Sequence, residues 1–120
     1  QIVVLEMAAL TTSASSTLVS DTFTANSTPT KARLVVFAEV GDDLNTDFTA
    51  SATRDNTNYD AITLTDTGYV SGSSGTKVYS GSTTLTGAAP GQPQVQVRWK
   101  IVGSNQTAEN KIHGVALQWK

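Results

Sequence analysis

The feature that most limits how this chain can fold is a side-chain period of two. It is cleanest near the C-terminus. In "QVQVRWKIV", Val95, Val97, Trp99 and Ile101 share one face, and Gln94, Gln96, Arg98 and Lys100 share the other. The closing "KIHGVALQW" places His113, Val115, Leu117 and Trp119 on one face. A Trp this near a chain end is ordered only when its strand is tied into a sheet. The last strand therefore reads as an essential, central element. If it pairs with the strand before it across "GSNQTAEN", both indoles enter one core.

The same period runs through the rest of the chain, broken by turn residues. "IVVLEMAAL" opens it, followed by the Ser/Thr-rich loop "TTSASS" and the short "TLVSDTF". "ARLVVFAEV" (Ala32 to Val40) is almost continuously apolar and reads as a central strand buried on both sides. Its length would also fit a helix, but its β-branched residues argue for a strand. "TDFTASATR" turns Phe48, Ala50 and Ala52 to one side, and "AITLTD" reads as another short strand. "TGYVSGSSG" reads as a loop with room to move, and "TKVYSGSTTL" as a strand bulged at Gly81. The expectation is one domain over residues 1–120. It is all-β, an antiparallel, jelly-roll-like β-sandwich of about eight strands. Its core includes Phe48, Val95, Val97, Trp99, Ile101, Val115, Leu117 and Trp119.

Composition narrows the function. Charged residues are 15% of the chain, well under the ~25% of a typical domain. Ser and Thr, about a quarter of the residues, take their place. Such surfaces are common on secreted and virion β-proteins. The net charge of −2 gives no basic footprint for nucleic acid. No basic amphipathic stretch points to a membrane surface, and no apolar run approaches the ~18 residues of a span. With no Cys, thiolate metal sites, Cys nucleophiles and disulfides are excluded. The chain starts at Gln1, as a processed or partial chain does.

Chemistry-bearing residues are few. His113 is the one histidine, and no Gly-x-Ser-x-Gly elbow accompanies it, so packing or hydrogen bonding is its expected role. Glu6, Glu39 and Glu109 lie in three different segments and mark no glycosidase pair. Asp43, Asn45 and Asp47 stand at the alternate positions that open a calcium loop. Phe48 occupies the place of the required Gly, and no Glu follows in register, so a solvated turn competes with a metal site. "TRDNTNYD" holds Arg54, which could meet a carboxylate across the sheet, and Tyr59, a stacking platform for a sugar or an exposed turn residue. Tyr69 and Tyr79 flank the Gly/Ser loop and suit either recognition or packing between subunits. Asn26-Ser27-Thr28 and Asn105-Gln106-Thr107 match the glycosylation acceptor pattern, which arises easily in a Thr-rich chain. No cofactor is called for.

Three stretches carry a resemblance. They are "TDFTASATRDNTNYDAITLTDTG", "VYSGSTTLTGAAPGQPQVQVRWKIV" and "KIHGVALQW". Together, over roughly Ala32 to Trp119, they resemble a β-sandwich module of bacteriophage tail-fibre and other virion appendage proteins. Asn56-Thr57-Asn58-Tyr59 departs from the Gly-rich, Trp-bearing turn common there, and Tyr59 takes the aromatic's place. The opening "QIVVLEMAAL" matches less well. The resemblance implies a non-enzymatic structural component on the virion surface. It would assemble with itself as a homo-oligomer, a trimer by expectation, bind other virion proteins, and contact a host-surface glycan. Residues 1–10, with Ile2, Val3, Val4 and Leu5, would form a strand that pairs with a neighbouring subunit. The alternatives are a capsid decoration protein, a carbohydrate-binding module, and a pilus or surface-filament subunit built by strand addition.

Overall fold

The computed structural model describes residues 2–12, 15–104 and 110–120, the first of these segments as backbone. Asn105-Gln106-Thr107 and Glu109 lie outside the described residues. Among those described, ten strands follow in chain order. They are β1 (Ile2–Thr12), β2 (Ser16–Val19), β3 (Phe23–Thr24), β4 (Lys31–Glu39), β5 (Phe48–Thr53), β6 (Tyr59–Ile62), β7 (Thr65–Tyr69), β8 (Lys77–Thr84), β9 (Gln96–Gly103) and β10 (Asn110–Trp119). The first sheet has the order β1-β10-β4-β8-β7. The second has the order β2-β9-β5-β6, with β3 also paired to β9. The named strand pairs are antiparallel, and the two sheets face each other as a sandwich.

Ten strands replace the expected eight because two segments break. Ser20 interrupts "TLVSDTF": its hydroxyl accepts from the Trp99 N–H at 3.1 Å, so β2 ends and β3 begins beyond it. "AITLTD" is two half-strands. β6 lies in the second sheet and β7 in the first, and the chain changes sheet at Thr63-Leu64. There the Asn45 side chain acts like a piece of backbone. Its amide donates to the Leu64 carbonyl and its oxygen accepts from the Leu64 N–H, both at 2.8 Å.

The core lies between the sheets. Leu34, Val36 and Ala38 of β4 face Val115, Leu117 and Ile112 of β10, all buried. Phe48, Ala50 and Ala52 of β5, with Val97, Trp99 and Ile101 of β9, close it from the other side. Val95, just before β9, is half-buried against this cluster. Trp99 and Trp119 both enter the core, but not as neighbouring strands. β9 and β10 lie in opposite sheets, because β9 is already paired with β2 and β5, and β10 with β1 and β4. Trp119 meets the second sheet through Phe23 of β3, whose ring stacks on it at 6.4 Å. The backbone of Lys120 is bonded to Thr30 and Lys31, so the terminal strand is pinned at its last residue.

Several expectations are corrected. His113 does not share the face of Val115, Leu117 and Trp119. A bulge between Ile112 and Gly114 shifts the register, so Ile112 turns inward and His113 outward. β4 is central but not equally buried on both sides: Val35 and Phe37 are only half-covered on the outer face. Gly81 carries no bulge, since β4 and β8 pair without a shift. It is Gly because a Cβ there would strike the Thr63 carbonyl oxygen and lie 2.7 Å from Ile62 Cγ2. Among the described residues, Arg54 meets no carboxylate across the sheet. Its guanidinium donates to the carbonyls of Gly87 (2.8 Å) and Pro29 (2.9 Å). The N-terminal strand β1 pairs along one edge with β10 of its own chain.

Beside Arg54, Asp55 is fully buried and organises the turn that follows β5. It accepts from the N–H groups of Thr57 (3.0 Å), Asn58 (2.8 Å) and Ala89 (2.9 Å), the Asn58 amide (2.7 Å) and the Thr53 hydroxyl (2.9 Å). Gly87 lets the 86–93 loop come this close, because a Cβ there would sit 2.6 Å from the carboxyl carbon. Burial by itself would raise the carboxyl's pKa. The hydrogen bonds from Asn58, Thr57 and Ala89 outweigh it and hold the group well below the ordinary carboxylate range. The unfolded chain therefore binds this proton more readily. The stabilisation is complete above about pH 4 and is lost as pH falls toward the folded-state value. Asp55→Asn, which turns an NH2 toward N–H donors, should lower stability at neutral pH by about 2–3 kcal/mol. It should also flatten the loss of stability below about pH 4. Urea midpoints across pH check both effects.

Candidate functional site

The β7–β8 hairpin builds the best-formed site. Asp66 Oδ1 accepts from the Gly68 N–H at 2.9 Å, and Gly68 sits at φ +106°, a conformation that suits glycine. The register slips between Asp66 and Tyr69 as a result. Such an irregularity re-aims the side chain that follows it. Tyr69 is turned out and is 70% exposed, the most exposed large apolar side chain among the described residues. The loop beyond it is tied internally. The Val70 N–H donates to the Thr76 carbonyl (2.7 Å), and the Ser73 hydroxyl reaches the carbonyls of Val70 (2.7 Å) and Thr76 (3.2 Å).

Polar groups surround this phenol. Lys77 Nζ lies 4.8 Å from the Tyr69 ring centroid and 2.7 Å from Asp66 Oδ2. The hydrogen bond between them lowers the Asp66 pKa and raises that of Lys77. Both groups are in water, so the pair orients side chains more than it stabilises the fold. Tyr79 packs behind them, buried, and hydrogen-bonded to the Val40 backbone; burial raises its pKa. Across the cleft, Glu39 Oε2 meets His113 Nε2 at 2.9 Å. Glu39, Val40, Gly41, Tyr69, Lys77 and Tyr79 line a cleft of about 290 Å³. An exposed aromatic face beside hydroxyl, ammonium and carboxylate groups can stack on a ring and hydrogen-bond to hydroxyls around it.

The three tyrosines singled out in the sequence do not form one site. Tyr69 and Tyr79 line the same cleft, Tyr69 as the open platform and Tyr79 as a buried wall. Tyr59 stands on β6 of the other sheet, half-buried, with Lys100 Nζ 4.0 Å from its ring centroid. The Asp43, Asn45, Asp47 turn is held by backbone bonds to the Asp43 carbonyl from Thr46, Asp47 and Phe48, while Asn45 serves Leu64. Among the described residues, no three His, Cys, Asp or Glu side chains converge to hold a metal. Glu39, Asp66 and Lys77 escaped the sequence reading. The signal was present for two of them, since Asp66 and Lys77 are opposite charges on either side of a Gly/Ser hairpin loop. Glu39 reaches the cleft through strand pairing that no local pattern encodes. No family model matches the chain, and no curated protein or solved structure does either.

The two cleft tyrosines should separate in their effects. Tyr79→Ala should cost about 3 kcal/mol, as a buried aromatic truncation does. Tyr69→Ala should stay within about 0.5 kcal/mol of the parent, as an exposed position does. Urea denaturation of both variants measures the difference.

Proposed function

We propose that the chain is a non-catalytic structural module of a bacteriophage particle, of the tail-fibre or appendage kind. It assembles with itself on the virion surface and turns the Tyr69 cleft toward a host-surface glycan. The observation that carries this reading is β1. It is an eleven-residue strand, mostly apolar in sequence, set at the border of the first sheet beside β10. Border strands of this length and composition are templates for contact with another chain. The interleaved winding, with β1 beside β10 and β2 beside β9, is read as jelly-roll-like. That architecture occurs in viral structural proteins. It accords with the resemblance of the closing "KIHGVALQW" to virion appendage modules.

A second reading is a carbohydrate-binding module acting without assembly, favoured by the exposed Tyr69 platform. Light scattering with negative-stain imaging of the purified chain separates the two. The structural reading expects a regular assembly of several chains. It further expects that deleting Gln1 to Met7 abolishes the assembly and leaves a soluble β-rich domain. An assembled deletion variant would count against a role for β1. A monomeric parent chain whose glycan binding is lost on Tyr69→Ala would favour the binding-module reading.

A further inference from the structure

The outer faces of the two sheets differ. On the second sheet, the outward residues of β5 and β9 include Thr49, Ser51, Arg98 and Lys100, with Val102 between Thr17 and Thr49. The exposed Val19 of β2 lies there beside Lys100, so that face is mostly polar with a small apolar edge. On the first sheet, the middle of the outer face is apolar. Val35 of β4 lies between Ala116 and Ser80, and Phe37 lies between Gly114 and Val78. Val35, Phe37, Val78 and Ala116 are all half-buried. Gly114 offers no side chain to cover the Phe37 ring from the β10 side. A central strand that reads as apolar on both faces is thus fully covered by its own chain on one face and half-covered on the other.

The ends of this face carry opposite charge. Along the outer side of β4 the order is Lys31, Arg33, Val35, Phe37, Glu39. Lys120 stands beside Lys31 and Arg33 around a shallow groove of about 280 Å³. At the other end are Glu39 and Asp66, with Asp42 and Asp43 on the loop leaving β4, against Lys77 and Lys111. Four carboxylates less two ammonium groups leave that end negative. A stripe that runs positive, apolar, negative complements a copy of itself turned end for end.

We propose that this face is where two copies of the chain pair about a two-fold axis. Val35 of one protomer packs against the partner's Phe37, and Arg33 sets against the partner's Glu39, while Tyr69 on the border strand β7 stays outside the contact and open to a glycan. The proposal rests on the self-assembling reading above and gives that reading a surface. The molecule measures 42 × 29 × 20 Å, so its broad face exceeds the ~800 Å² that each partner contributes to a standard interface. β1 borders the same face beside β10, so the N-terminal strand and the apolar stripe belong to one contact region. Pairing is then in twos, not the threes suggested by the sequence resemblance.

The test is solution mass over a hundredfold concentration range for the full chain and three variants. The double variant Val35→Thr/Phe37→Thr puts β-branched residues, which suit a strand, at both positions and removes the apolar surface. It should be monomeric with cooperative unfolding retained. Arg33→Glu, at an exposed position, should raise the dimer dissociation constant at least tenfold at low salt, and by less in 1 M salt, where screening is strong. Ser51→Glu, on the other sheet, should change nothing. If the double variant does not fold, Arg33→Glu decides. An assembled parent whose mass none of these changes alters overturns the face and leaves self-assembly standing. An odd-numbered assembly overturns the two-fold pairing. A parent that is monomeric throughout overturns both this pairing and the self-assembling reading.

Discussion

The pairing of β10 with β4, a largely apolar strand, is what the rest of this structure depends on. On its other side β10 carries β1, the first strand of the chain. The two pairings bring both ends of the chain together and make a continuous sheet of elements far apart in sequence. Such contacts carry a large loop-closure cost, which only extensive burial can offset. The burial is present in Trp119, Leu117, Val115 and Ile112, set against Ala32, Leu34, Val36 and Ala38. The stack of Phe23 on Trp119 then ties this sheet to the other across the core.

Two departures from regular pairing position the polar chemistry. The bulge at His113 ejects the imidazole from the core face and sets it against Glu39. The Gly68 irregularity ejects Tyr69 toward water. Each interrupts the ladder; Tyr69 becomes a wall of the cleft, and His113 holds Glu39, which lines it. A regular sheet would have left neither side chain where it is. Asp55 works at the far end of β5, where its five acceptor contacts hold the 86–93 loop against the turn after β5.

Much of this fold could be read from local pattern. The alternation of β5 and β9 identified Phe48, Ala50, Ala52, Val97, Trp99 and Ile101 as inward-facing, because a period of two fixes the face once the strand is recognised. The same rule failed at His113, since one extra residue inverts every side chain before it and nothing in "KIHGV" announces the bulge. Which strands pair was not legible either. Proximity in sequence favoured β9 beside β10, whereas the sandwich places them in opposite sheets. The cleft was half legible. Tyr69 and Tyr79 stood out beside their loop, but the Glu39–His113 pair joins residues 74 positions apart. Arg54 suggested charge pairing across the sheet, and the fold used it on the carbonyls of Gly87 and Pro29 instead.

In "ARLVVFAEV", Leu34, Val36 and Ala38 serve the core; on the pairing proposed above, Val35 and Phe37 serve a second copy on the opposite face. Small-angle scattering of the smallest assembly in solution tests this most directly, because it reports the direction in which chains stack. One chain has a radius of gyration of 14.1 Å. Two chains stacked through the 20 Å dimension should give about 17 Å, whereas edge-to-edge pairing through the 29 Å dimension should give about 20 Å. The account requires the value near 17 Å. A value that stays near that of one chain would contradict the self-assembling reading, and one near 20 Å would contradict the face pairing and leave contact through the β1 border.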